Sequence, residues 1–378
     1  MAKTCAAKLY CCFNVLLLLA LTVTLGLAQR SCYTPSGAYG QCVQYNQCAY
    51  LTNQLEKFGQ SVPQSFYEEV RARRCKTKTK DIYICCELQF VQAAPIISTT
   101  TPAADENETI NQQGLSTLND MKCGSPPDNR VSFGEATNLA EFPWMALLRY
   151  NSPETYNCGG SLITNRYVLT AAHCMVRQRF TLIGVRLGEH DLGKERDCQQ
   201  RGEVEQCSPP VEDFGIEKQI PHLLYKGIRN DIGLIRLNRD VDFKIHITPI
   251  CLPITDRSKK LQDEYFISGW GTKEDGTTSK ILLKALIPNK DIRFCQQTFR
   301  SNDIGESHIC AGGENRVDSC KGDSGGPLFF LAPYKTSPRY IQFGIVSFGV
   351  PACGPEKSYP TLYTKVESFL PWITNNIV

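Results

Sequence analysis

Hydrophobic and polar positions divide the chain into stretches with different spacing. Phe13 to Leu27 form one apolar run, preceded by Lys3 and Lys8 and closed by Gly26-Leu27-Ala28. That order of charge, apolar run and small residues predicts a secretory signal over 1–28, cleaved after Ala28. No second apolar run follows, which disfavours a membrane anchor. Residues 32–86 are poor in apolar positions. Residues 87–122 hold few large apolar residues and carry Ser98-Thr99-Thr100-Thr101-Pro102 and Asp105-Glu106-Asn107-Glu108-Thr109, the composition of a flexible linker. From residue 131 short β-rich runs alternate with turns: Met145 to Tyr150, Ser161 to Thr170, Thr181 to Leu187, Ile232 to Leu237, Tyr265 to Trp270 and Ile341 to Phe348. Helical spacing appears only at Val366 to Ile377, which predicts one C-terminal helix. About 250 residues of spaced strands predict an all-β barrel or sandwich.

Composition narrows the class. At 378 residues and 42% hydrophobic, the chain is long enough for two domains with a sizeable core. Lys+Arg total 41 against 38 for Asp+Glu, a net charge of +3. The signal removes two lysines and no acids, leaving +1, so the balance offers no attraction for nucleic acid or an anionic membrane. Of 19 cysteines, Cys5, Cys11 and Cys12 leave with the signal; the remaining 16 are an even number, and too many for a reducing cytosol. Six fall in 32–86: Cys32, Cys42, Cys48, Cys75, Cys85 and Cys86. With no histidine and no CxxC pair there, disulfides are expected rather than zinc, each contributing ~2–4 kcal/mol; spacing alone leaves their connectivity open. Asn107-Glu108-Thr109 predicts glycosylation at Asn107.

The chemistry concentrates after residue 131. In Gly322-Asp323-Ser324-Gly325-Gly326-Pro327 a serine lies between glycines, which admit a substrate backbone and free the N–H groups of Gly322 and Ser324 to hold an oxyanion. A serine hydroxyl needs a base. His173, in Thr170-Ala171-Ala172-His173-Cys174, ends a strand-like run beside a cysteine. Asp231, in Asn230-Asp231-Ile232-Gly233-Leu234, opens an apolar strand and is the candidate to orient the imidazole. Singly these are a turn, a core histidine and a cap. Together, in one β-rich segment, they read as a nucleophile, a base and an orienting acid.

On these motifs, and on Phe142-Pro143-Trp144, Cys158-Gly159-Gly160-Ser161-Leu162, Ser268-Gly269-Trp270-Gly271 and Ser347-Phe348-Gly349, residues 131–378 resemble the chymotrypsin-fold, trypsin-like serine proteases, whose chain order is His, Asp, Ser. The resemblance implies a double β-barrel with a C-terminal helix, Ser324 as nucleophile, His173 as general base then acid, and Asp231 fixing its tautomer. It implies the disulfides Cys158–Cys174, Cys295–Cys310 and Cys320–Cys353; Cys198 and Cys207 are left close enough to close their own loop. Cys123 with Cys251 would tie the activation segment 123–130 to the protease body. Cleavage after Arg130 would free the amine of Val131 to pair with Asp323, although Val131-Ser132-Phe133-Gly134 departs from the commoner Ile-Val-Gly-Gly. Asp318, with Ser319 and Gly349, implies a primary pocket for Arg or Lys. Thr361 stands where such proteases usually carry glycine, and a β-branched side chain there narrows the pocket.

The six-cysteine module at 32–86, closed by adjacent Cys85-Cys86, resembles the clip domain of arthropod secreted proteases, which implies Cys32–Cys85, Cys42–Cys75 and Cys48–Cys86. Glu189, with Asp197, Glu203 and Glu205 nearby, resembles that subgroup's calcium loop, against the simpler reading of a solvated acidic face; no other cofactor is implied. The expectation is a secreted endopeptidase zymogen of the haemolymph. It would be cut by an upstream trypsin-like protease, inhibited by a serpin, and would act on prophenoloxidase in melanization. Processing of a Toll-ligand precursor, or a regulatory clip-domain homologue acting by binding, are the alternatives.

Overall fold

The computed structural model describes residues 31–58, 63–75, 83–91, 109–126, 136–152, 156–176, 179–272, 277–313, 323–349 and 359–378. The expected signal segment and, among expected site residues, Asn107, Arg130, Val131, Asp318, Ser319, Cys320, Gly322 and Cys353 lie outside them.

The N-terminal module pairs β1 (Ser31–Tyr33), β2 (Tyr39–Gln44) and β3 (Tyr83–Glu87) antiparallel in that order, and carries α1 (Ala49–Phe58) and α2 (Gln64–Ala72). Its apolar core includes Val43, Leu51, Val70 and Ile84. Three disulfides supplement it: Cys32–Cys85, Cys42–Cys75 and Cys48–Cys86. Cys42 on β2 stands opposite Cys85 on β3; Cys85 bonds to Cys32 on β1, and the adjacent Cys86 to Cys48, the residue before α1.

The protease body opens with α3 (Gln112–Asp120). This corrects the expectation of a flexible linker reaching residue 122. The Asn111 side chain accepts from the amides of Gln113 (2.9 Å) and Gly114 (3.0 Å), satisfying first-turn donors. Gly114 lets the helix lie directly on the Thr374 backbone, where a Cβ would collide, and Leu118 joins the core of the body. Short-range polarity concealed this helix; its stability comes from the surface it meets. Beyond it, Cys123 bonds to Cys251, 128 positions away.

The first barrel is a curled seven-stranded antiparallel sheet built from β4 (Met145–Tyr150), β5 (Tyr156–Leu162), β6 (Tyr167–Thr170), β7 (Leu182–Leu187), β10 (Glu212–Phe214), β11 (Ile216–Pro221) and β12 (Gly233–Leu237), in the order β10-β7-β4-β5-β6-β12-β11. A separate ribbon pairs β8 (Cys198–Arg201) with β9 (Val204–Cys207). The single run expected over Ser161 to Thr170 is two strands. Thr164 Oγ1 accepts from the amides of Arg166 and Tyr167, and this turn reverses the chain. The second barrel closes in the order β13-β14-β15-β18-β17-β16, from β13 (Glu264–Gly269), β14 (Leu283–Lys290), β15 (His308–Gly312), β16 (Pro327–Tyr334), β17 (Ser337–Phe348) and β18 (Pro360–Lys365).

Between the barrels sits an aromatic cluster. Phe142 meets Phe329 edge-on at 4.8 Å, and Trp144 meets Phe329 at 5.5 Å and Tyr340 at 5.4 Å. The Phe142-Pro143-Trp144 motif is thus a packing element joining the two halves. The expected C-terminal helix divides into a 3-10 turn, Val366–Phe369, and an α-helix, Leu370–Asn376. Pro371 lies in the first turn of the latter, the one place where its missing N–H costs nothing.

Candidate active site

Three elements converge where the barrels meet. His173 begins a one-turn helix, His173–Val176, after β6, beyond the fully buried Ala171 and Ala172. Asn230, in the left-handed region at φ 53°, turns the chain into Asp231, and its Nδ2 donates to the Leu224 carbonyl. Ser324 sits in a tight turn closed by Gly326 N–H donating to the Asp323 carbonyl at 2.9 Å. Gly325, at φ 78°, lies against Thr170 and Gly159, so a side chain there would displace the turn from the first barrel.

Asp231 is 1% exposed, and its carboxylate is fully engaged. Its Oδ2 accepts from His173 Nδ1 at 2.8 Å and from Ser347 Oγ at 2.7 Å; its Oδ1 accepts from the His173 amide at 2.9 Å. A carboxylate only accepts, so the imidazole proton sits on Nδ1 and Nε2 carries the lone pair of the neutral ring. The Asp231 carbonyl accepts from Thr364 Oγ1 at 2.8 Å. On the other side, Cys174 Sγ, bonded to Cys158, lies 3.6 Å from His173 Nε2 and 3.7 Å from the Ser324 carbonyl oxygen. Gly159 N–H donates to that carbonyl at 2.8 Å. One disulfide therefore lies against both the imidazole Nε2 and the serine turn. The cysteine sulfurs beside His173 are consumed by that bond, which removes them as metal ligands.

The Asp323 carboxylate lies in a cradle formed by Gly269 and Gly271. A Cβ on either would overlap its carboxylate, and Gly271 N–H donates to Oδ1 at 3.0 Å. This gives the Ser268-Gly269-Trp270-Gly271 motif its physical reason. Gly349 and the buried Thr361 face each other, with Thr361 Oγ1 3.2 Å from where a Gly349 Cβ would stand. The two wall residues singled out in the sequence therefore line the same place.

Cys295–Cys310 and Cys198–Cys207 are also formed. The calcium expectation at Glu189 does not fit. Glu189 accepts from His190 N–H (3.0 Å) and Arg186 Nη1 (3.3 Å), and Asp197 from the amides of His190 (3.0 Å) and Asp191 (3.1 Å). Burial and the neighbouring Asp197 raise the Glu189 pKa, while Arg186 supplies the counter-charge. Glu203 and Glu205 are exposed. These acids do not form the converging cage of six or more oxygens that calcium takes.

The motif reading left Ser347 and Thr364 without roles, although both bind Asp231. Ser347 lies within a quoted motif and was visible as such; Thr364 is one strand threonine among several and carries no local signal.

Residues 131–373 match the family model described as Trypsin, and residues 32–86 the one described as Regulatory CLIP domain of proteinases. The chain belongs to the trypsin family of serine proteases and is a serine endopeptidase carrying a regulatory clip domain. It is 39% identical over 358 residues to Serine protease grass of Drosophila melanogaster, spanning 92% of this chain and 90% of that one. It is 37% identical over 360 residues to Phenoloxidase-activating factor 3 of Holotrichia diomphalia, spanning 92% and 94%. The crystal structure of the Drosophila Grass clip serine protease of the Toll pathway aligns with a TM-score of 0.66 at 38% identity, covering 92% of this chain and 97% of that one.

Proposed function

We propose that the chain is a secreted zymogen, cut after Arg130, that hydrolyses peptide bonds after Arg or Lys in an extracellular immune cascade. The observation that carries this reading is the Asp231–His173 pair, which fixes the imidazole through Nδ1 with Nε2 on the side of the disulfide that also meets the serine turn. Ser324 Oγ attacks the substrate carbonyl while its proton passes to His173 Nε2. The Gly322 and Ser324 amides hold the oxyanion, and His173 returns the proton to the leaving amine. Water then hydrolyses the acyl-enzyme by the same steps in reverse order. Asp231 stays ionised and stabilises the imidazolium. Members of the trypsin family need no cofactor, and none enters these steps. Cleavage after Arg130 frees the Val131 amine, whose partner is Asp323, and Asp318 selects the basic residue.

The test is to cut purified zymogen after Arg130 and offer peptides ending in Arg, Lys, Leu and Ala. Turnover after Arg and Lys that disappears in Ser324→Ala is expected; preference for Leu or Ala would overturn the pocket assignment. The likeness to a phenoloxidase-activating factor favours prophenoloxidase as the natural substrate. The likeness to a protease of the Toll pathway favours the second reading, in which a Toll-ligand precursor is cut. Offering both purified precursors to the cleaved enzyme separates these readings.

A further inference from the structure

Among the described residues outside the catalytic cluster, one ion pair is fully enclosed. Lys284 Nζ lies 2.6 Å from Glu141 Oε1, with the two side chains 1% and 2% exposed and 143 positions apart. The other carboxylate oxygen of Glu141 accepts from the Asn138 amide at 2.8 Å and from Asn138 Nδ2 at 3.3 Å. The other ion pairs described for the protease body each keep at least one side chain 10% exposed or more, apart from the catalytic Asp231–His173 contact. Burying two charges is costly, and apolar residues of similar size would serve packing as well or better.

The position of the pair indicates what it does instead. Glu141 ends a strap, residues 136–141, that begins five residues after the proposed new N-terminus. The strap is laced to the entry of β14. Ala136 bridges Leu283, and Thr137 donates to the Leu282 carbonyl through both N–H and Oγ1, at 3.0 Å each. Lys284 lies opposite Ser268 in the β13–β14 ladder, and Ser268 Oγ donates to the Leu283 carbonyl at 2.8 Å. Ser268 leads directly into Gly269 and Gly271, the two glycines that cradle Asp323. The His190 carbonyl accepts from both Leu282 N–H (2.8 Å) and Trp270 Nε1 (3.2 Å), closing the same network.

We propose that Glu141 and Lys284 are a positioning pair for catalysis, coupling the strap that follows the activation cut to the Asp323 cradle and so favouring the substrate-competent conformer. The inference rests on the activation scheme above. Neither residue touches substrate.

The test compares cleaved wild type with Glu141→Gln, Lys284→Met and the double variant, all cut to completion. The double variant leaves no uncompensated charge and keeps the proposal testable if a single variant fails to fold. If the competent conformer becomes less populated, apparent KM for a small Arg amide rises in inverse proportion to that population, with kcat at saturation retained. We expect KM to rise about fivefold or more, and labelling by a fluorophosphonate to slow by the same factor. Loss of folded molecules alone would lower kcat per mole and leave KM unchanged. A double variant with wild-type KM and labelling rate, or one with reduced kcat and unchanged KM, overturns the proposal. If cleaved wild type itself does not label, the protease reading fails first, and this inference with it.

Discussion

The clip module encloses a small apolar core, including Val43, Leu51, Val70 and Ile84, with three disulfides spread over residues 32–86. The protease body instead buries two large apolar clusters and an aromatic joint between its barrels; Cys158–Cys174 there lies directly against His173 and the Ser324 carbonyl. In the module, covalent closure of the unfolded chain replaces burial that so few residues cannot provide. In the body, burial supplies the stability, and a disulfide is free to position His173 and Ser324. The same bond does different work according to how much core surrounds it.

The largest separation between the two regions is expected at Asp231. Asp231→Asn keeps the shape but favours the wrong imidazole tautomer, and kcat for an Arg peptide should fall by about 10⁴ with little change in folding. Retention of more than a tenth of the activity would remove Asp231 from its role. In the module, the paired change Cys48→Ser and Cys86→Ser should cost its unfolding about 2–5 kcal/mol. Calorimetry should show the protease transition unmoved and turnover of a small peptide intact. A parallel fall in both transitions would show that the regions do not stabilise themselves separately.

A smaller effect is expected at Ser347. Ser347→Ala removes one donor from a buried carboxylate that keeps two others, so kcat/KM should drop about 10- to 150-fold, corresponding to ~1.5–3 kcal/mol for a hydrogen bond to a charged group. An unchanged value would make Ser347 a packing residue. The smallest effect concerns pH. Burial depresses the pKa of both His190 and His308 below the usual histidine value. The unfolded chain therefore takes up protons first as pH falls below ~6.5. Their contribution is complete above that pH and is lost beneath it. The clip module has no histidine between 32 and 86. The protease melting temperature should decline from pH 7 to 5 while the module lacks this component, and His308→Gln should flatten part of the decline. An identical slope in the variant would rule His308 out as a contributor.

Local chemistry was legible in the sequence because it depends on neighbours in the chain. The turn around Ser324 needs glycines at fixed offsets, His173 stands beside a cysteine, and Asp231 opens an apolar strand; each leaves a motif. Strands such as Met145–Tyr150 were equally plain from their apolar runs. Others were not. The helix at Gln112–Asp120 is polar and short, and only the Thr374 backbone beneath Gly114 gives it a place to form. The pairings of the clip cysteines came from likeness to a family, since spacing alone permits many.

What residue order determined by itself was the inventory: a candidate serine, histidine and aspartate, a cysteine-stapled module, and β-rich punctuation throughout the body. The tertiary structure alone decided which distant groups complete that inventory. Ser347 and Thr364 on Asp231, the two glycines around Asp323, and Lys284 against Glu141 lie far apart along the chain. Such partners are chosen by strand register and barrel packing. Register sums many weak, non-local contacts, so no short stretch of sequence records it.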